Sequence, residues 1–147
     1  MFVTVAQTDP LPWICTYKVA LRLWPDAPKH SNQVLRYWLG LDLDAVQAMP
    51  PHRAGPDAWV TAHLLLRMLE QATVTQMIGW TVEPKQLPVL PFGKHRGLKW
   101  ADLPDDYLQW LVRQADMDPD VLWCARQETE RRGSGEAASR PAAATSV

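Results

Sequence analysis

A histidine and an aspartate stand five positions apart in "PPHRAGPDAWVTAHLLLRML", residues 50–69, where an apolar helix begins. An imidazole titrates near neutral pH and can exchange a proton with a reacting water. A carboxylate is the hard oxygen donor that small divalent cations prefer. His52 and Asp57 therefore admit two readings. They are the working end of a metal-dependent site, or an ordinary helix start whose acid favours the helix dipole beside a stray imidazole. His-x4-Asp spacing alone does not choose. If both residues were helical they would point about 140° apart, but His52 precedes Pro56 and can swing from a loop towards the aspartate's side.

A second group lies in "LPFGKHRGLKWADLP". Lys94, His95, Arg96 and Lys99 form the densest basic cluster before the last helix, with Phe92 and Trp100 as aromatic flanks. Cations interleaved with rings suit a phosphate backbone or a single strand. A solvated hairpin turn in which Gly93 and Gly97 supply the geometry accounts for the same residues. Lys29, His30 and Arg36 make a thinner basic group that reads as surface. Cys15, His30 and His52 are too irregularly spaced for a zinc site.

The elements that must hold these groups follow from the pattern. "PWICT" is a short apolar run that reads as a buried strand, leading into a helix capped by Thr16 and stopped at Pro25. The helix face is Tyr17, Ala20, Leu21 and Trp24, with Lys18 and Arg22 on another side. A second helix starts at Ser31, carries Val34, Leu35, Trp38 and Leu39, and stops at Gly40. "LDLDAVQAMPP" connects it to the helix entered through Pro56. On that helix Asp57, Thr61, Leu64 and Met68 fall on one line, Ala58, Leu65 and Leu69 extend that face, and His63, Arg67 and Glu70 gather opposite as a solvated side. A short helix over Thr75–Trp80 precedes "VEPKQLPVLP", a proline-rich boundary. Then come a hairpin around "GKHRG", a helix capped by Asp105 with Tyr107, Leu108 and Leu111 on one face, and a last helix begun by Asp118-Pro119 and running to about Arg131. "GSGEAASRPAAATSV" has no apolar face and reads as disordered.

With 147 residues, 47% hydrophobic, the chain suits one compact domain or a partial domain with a small module. A net charge of −1 removes whole-molecule attraction for nucleic acid, so any such binding needs a local patch. Eight tryptophans, from Trp13 to Trp123, read first as core fillers. Cys15 and Cys124 read as reduced thiols. No signal peptide or membrane span is visible, and a cytoplasmic location is expected.

Three segments, "LPWICTYKVALRLWPDAPKHSNQVLRYWLGL", "HRAGPDAWVTAHLLLRML" and "FGKHRGLKWADLPDDYLQWL", resemble in that order the later part of exodeoxyribonuclease X-like proteins. These belong to the DEDDh class of 3′–5′ exonucleases, which includes the proofreading subunit of bacterial DNA polymerase III. The resemblance spans about residues 11–131. It implies that His52 is the general base on an attacking water and Asp57 a ligand of catalytic Mg²⁺ or Mn²⁺. It also implies DNA 3′ ends as substrate, with single and double strands both left open. The fold expected from it is α/β: the C-terminal part of an RNase H-like exonuclease domain at 1–82 with its first strands missing, a small hairpin-plus-helices module at 83–132, and a disordered tail at 133–147.

The family's remaining acids have no counterpart here. An Asp-x-Glu and a further aspartate belong before the "PWICT" strand, where Asp9 in "TDPLP" reads as a turn and "MFVTVA" resembles the helix after the family's middle aspartate. One carboxylate and one imidazole cannot hold two metal ions about 4 Å apart. The chain is therefore expected to be inactive alone. Its centre, strand edge and apolar face would be completed by a missing N-terminal half or a partner chain. A late-called start, a split gene and a remnant all fit. The competing reading is a non-catalytic protein that binds nucleic acid or a partner through the C-terminal module.

Overall fold

The computed structural model of the chain describes residues 12–139. The expectations for "MFVTVA", for Asp9 and for the end of the tail lie outside the described residues. The contacts divide the chain into two compact units, with the division between Lys85 and Gln86.

Among the described residues, five helices build the first unit: α1 (Thr16–Leu23), α2 (Asn32–Trp38), α3 (Ala45–Ala48), α4 (Ala54–Leu69) and α5 (Val74–Val82). Helix α4 is the hub, packing against α1, α2 and α3, while α5 packs against α1. Its buried line is Val60, Leu64 and Met68, which meets Val19, Ala20 and Trp24 of the α1 segment, Leu35, Ala48 and Met77 in one core. These residues recur at the three- and four-residue spacing that gives a helix one apolar side. Ala58 and Leu69, expected on that side, are exposed instead. Lys18 and Arg22 are not idle on the surface. The Lys18 Nζ donates to the carbonyls of Thr81 and Glu83 (both 2.7 Å), and Arg22 pairs with Glu83 (2.8 Å). Both cations thus meet the C-terminal end of α5, where helix carbonyls lack internal partners.

The expected α/β architecture, a partial RNase H-like fold, is overturned. No strand occurs among the described residues, and the pairing there is one isolated antiparallel bridge, Val89 with Lys99. "PWICT" is not a strand. A strand needs a neighbour for its backbone groups, and here the Cys15 N–H donates to the Thr81 hydroxyl (2.9 Å) while Thr16 already begins a helix. Trp13 is 69% exposed, so that end of the segment covers no buried sheet face. Cys15, not Thr16, occupies the cap position.

In the second unit a turn leads into a 3-10 turn (Trp100–Asp102), then α6 (Asp105–Arg113) and α7 (Pro119–Ser139). The core consists of Leu90, Leu103, Leu108, Leu111, Val121 and Ala125. The hairpin shrinks to a closed loop: the Leu90 N–H donates to the Leu98 carbonyl (2.9 Å) and the Gly97 N–H to the Leu90 carbonyl (2.8 Å). Gly93 and Gly97 have φ of +74° and +87°, conformations that favour glycine. Asp118 caps α7, its Oδ1 accepting from the N–H groups of Asp120 and Val121. Pro104 rather than Asp105 is the cap residue of α6. Helix α7 continues to Ser139, past the stop expected near Arg131. Among the described residues no helix is long and apolar enough to cross a membrane.

Candidate active site

The approach to α4 sets the site. Residues 49–53 leave α3 without regular structure, and His52 takes φ +63°, a left-handed conformation uncommon for a side chain other than glycine. This bend turns the backbone N–H of His52 towards Asp57, whose Oδ1 accepts it at 3.4 Å. His52 itself is exposed and Asp57 half-buried in the first turn of α4. No cation among the described residues pairs with Asp57. Both residues line one open cleft of about 320 Å³, together with Ser31, Asn32, Gln33 and Pro51.

Residues beyond the sequence's candidates hold the cleft. Asn32, at the start of α2, donates its side-chain N–H to the Thr61 hydroxyl (2.8 Å) and to the Asp57 carbonyl (3.3 Å). The Thr61 hydroxyl donates to that same carbonyl (2.7 Å). Gln33 donates to the Ala48 carbonyl (3.1 Å), tying α2 to the end of α3. Asp57 is therefore fixed through its backbone while its carboxylate keeps only a long contact. The sequence signal for this scaffold was slight: a polar pair, Asn32-Gln33, just inside a helix start, and a threonine one turn after the aspartate. His63 is half-buried rather than fully solvated, its ring 4.6 Å from that of Trp59 and its Nδ1 bonded to the Trp59 carbonyl (2.9 Å).

The basic cluster of the second unit separates into two kinds of residue. Lys94, Arg96 and Lys99 are exposed around the turn. His95 turns inward, ring edge against Tyr107 with centroids 4.6 Å apart, and its Nε2 is buried without a hydrogen-bond partner among the described residues. The expected aromatic flanks are core parts. Trp100 donates its indole N–H to the Leu87 carbonyl (2.6 Å), and both Trp100 and Phe92 pack on the Leu90–Leu111 core.

Against this geometry, the chain is similar to Exodeoxyribonuclease 10 of Escherichia coli (strain K12), 36% identical over 118 residues that cover 76% of this chain and 53% of that protein. The same identity and coverage hold for Exodeoxyribonuclease 10 of Escherichia coli O6:H1 (strain CFT073). The chain spans about half the length of these curated relatives. An exonuclease relationship is supported at that level. Residues 86–117 match a family described as "Putative quorum-sensing-regulated virulence factor". No solved structure matches the chain.

A two-cation nuclease centre needs several hard donors converging on one point. Among the described residues no group of three or more His, Cys, Asp or Glu side chains is placed to hold a metal ion. The cleft supplies one carboxylate and one imidazole, and so does not by itself fit a metal pair.

Proposed function

We propose that this chain forms part of a DEDDh-class 3′–5′ exodeoxyribonuclease that hydrolyses DNA phosphodiester bonds, with His52 as general base and Asp57 as one of the carboxylates serving Mg²⁺ or Mn²⁺. The observation that carries this reading is the shared cleft, in which a left-handed bend brings His52 to the mouth and the α4 start presents Asp57. The similarity to Exodeoxyribonuclease 10 supplies the reaction class and the polymer. The remaining metal-binding carboxylates come from outside the described residues.

The residues present divide the work. An exposed imidazole on a bent loop can take a proton from a water approaching a phosphate and release it to solvent. Asn32 and Thr61 keep the α4 start from shifting by fastening the Asp57 carbonyl. That leaves the carboxylate on the cleft lining with one long backbone contact and no neighbouring cation among the described residues, available to a hard cation.

Mn²⁺ titrated into isotopically labelled chain tests the site. Paramagnetic broadening is expected first at amides around His52 and Asp57, at metal concentrations on the order of 1 mM because one carboxylate binds weakly. Asp57→Asn should abolish it, and broadening centred elsewhere overturns the ligand assignment. The 147-residue chain should release no nucleotides from a labelled 3′ end with either metal. Turnover abolished by His52→Ala would show that these residues suffice and overturn the shared centre.

A further inference from the structure

Three rings form a row on the second unit. Tyr107 and Trp110 stand one turn apart on α6, centroids 5.3 Å apart and planes tilted by 34°. His95 closes the Tyr107 end edge-on at 4.6 Å, and the Lys94 Nζ lies 5.5 Å from the centre of the Tyr107 ring. The turn is fitted closely to this row: a Cβ on Gly93 would come within 2.9 Å of the Tyr107 hydroxyl. The core-facing side of α6 is already filled by Leu108 and Leu111, which are fully buried. Trp110 remains 45% exposed beside a partly buried tyrosine.

One exposed tryptophan needs no explanation. A ring row with cations at one end is different, because it offers stacking surface and charge together. Lys94 and Arg96 are exposed on the turn, and Arg113 is exposed at the end of α6, its guanidinium touching Gln109 (3.2 Å). Of the two acids at the α6 start, one is paired with a cation and the other meets a backbone N–H. Asp105 pairs with Arg132, and Asp106 accepts the Tyr107 N–H (2.8 Å). An apolar protein segment would offer no counter-charge to the exposed Lys94 and Arg96. A polymer with flat bases and anionic links matches both features, and only an unpaired strand exposes base faces for stacking on side chains.

We infer that Trp110 and Tyr107, with Lys94 and Arg96, form a binding platform for single-stranded nucleic acid: bases stack on the rings and phosphates meet the turn. The choice of polymer rests on the exonuclease reading, while the position of the platform rests on the ring row. His95 is a positioning residue that packs Tyr107 from behind, and Phe92 and Trp100 take no part.

Fluorescence anisotropy of a labelled oligothymidylate, measured with the full chain in EDTA at low salt, tests this without involving metal. Binding should quench tryptophan emission. Trp110→Ala should weaken it about tenfold and Trp110→Phe much less, since stacking tolerates any aromatic face. Replacing Lys94 and Arg96 by alanine should reduce the salt slope by about 1.4, roughly 0.7 for each lost phosphate contact. Circular dichroism checks that each variant is folded. No oligonucleotide binding, an unchanged affinity in Trp110→Ala, or equal Trp110-dependent binding of a duplex overturns the platform. In the unaltered chain, Trp110-dependent oligonucleotide binding without Mn²⁺ broadening around Asp57 breaks the catalytic reading alone, and that broadening without Trp110-dependent binding breaks this inference alone.

Discussion

Two acids, one in each unit, are treated in opposite ways. In the second, Glu128 is buried and met twice: Arg131 and Arg132 both reach it at 2.7 Å. Arg132 also pairs with Asp105 and donates to the carbonyls of Trp100 (3.1 Å), Ala101 (3.0 Å) and Leu103 (3.0 Å). In the first, Asp57 is half-buried with a single long backbone contact, and the His52 imidazole stands exposed. A charge that holds a fold is surrounded by partners, because an unmatched buried charge is costly. A charge kept for a ligand must stay under-satisfied until the ligand arrives. The contrast is the one expected if Glu128 serves the fold and Asp57 serves a ligand, as proposed.

Removing the best-connected charge should therefore have the largest effect. Arg132→Ala leaves Glu128 with one partner and uncovers three carbonyls around the 3-10 turn. A loss of about 3 kcal/mol in the stability of the second unit is expected from urea unfolding. Arg132→Lys should recover little, because one ammonium cannot reach acceptors that a forked guanidinium spans. A loss below about 1 kcal/mol would mean that this network is ornament on an apolar core.

Arg132 also shows where sequence reading stops. Its partners lie close along α7 at Glu128 but also at Trp100 to Asp105, and nothing in local periodicity announces such a latch. It sits just past the point where the last helix was expected to end. Local signals read better. Asp118-Pro119 marks a helix start that the structure shows capped, and Gly40 follows α2 at φ +63° as a left-handed stop. "PWICT" misleads because a four- or five-residue apolar run has no period of its own, so only a partner strand can make it a strand. Asp44 heads the missed helix α3, its Oδ1 accepting the Val46 N–H (2.8 Å), a cap signal present in "LDLDAVQA". At the site, the roles proposed for His52 and Asp57 come from the family resemblance and not from spacing, and neither announces the Asn32–Thr61 scaffold, which depends on α2 lying against α4. Counting aromatics near the basic turn favoured Phe92 and Trp100, because sequence does not say which ring faces inward.

The next effect is set by protons. Arg131 first, then Arg132, hold the Glu128 carboxyl down from 4.5 to about 2, against burial that would raise it. A depressed carboxyl contributes stability that is fully present above its unfolded value and is lost as pH falls towards the folded one. Between about pH 4.5 and pH 2 the second unit should lose about 2 kcal/mol, allowing for the exposed position of Arg131. Urea midpoints across that range should fall in the unaltered chain and stay flatter in Glu128→Gln. Parallel acid limbs in the two proteins would place the titration elsewhere.

The smallest effect belongs to the first unit and has the opposite sign. His52 holds φ +63° with an exposed side chain, so its backbone conformation is one that glycine adopts with less strain. His52→Gly should raise stability by about 0.5 kcal/mol, the relief of left-handed strain being partly offset by the extra freedom of the unfolded chain. His52→Ala keeps a Cβ in the same conformation and should change stability by less than that. The pair of variants asks whether the imidazole supports the loop or merely rides on it. A loss above about 1 kcal/mol on replacing His52 by glycine would make the side chain a structural prop. A neutral or positive change leaves a strained position occupied by a titratable ring with no folding role, which is the condition expected of a residue retained for proton transfer.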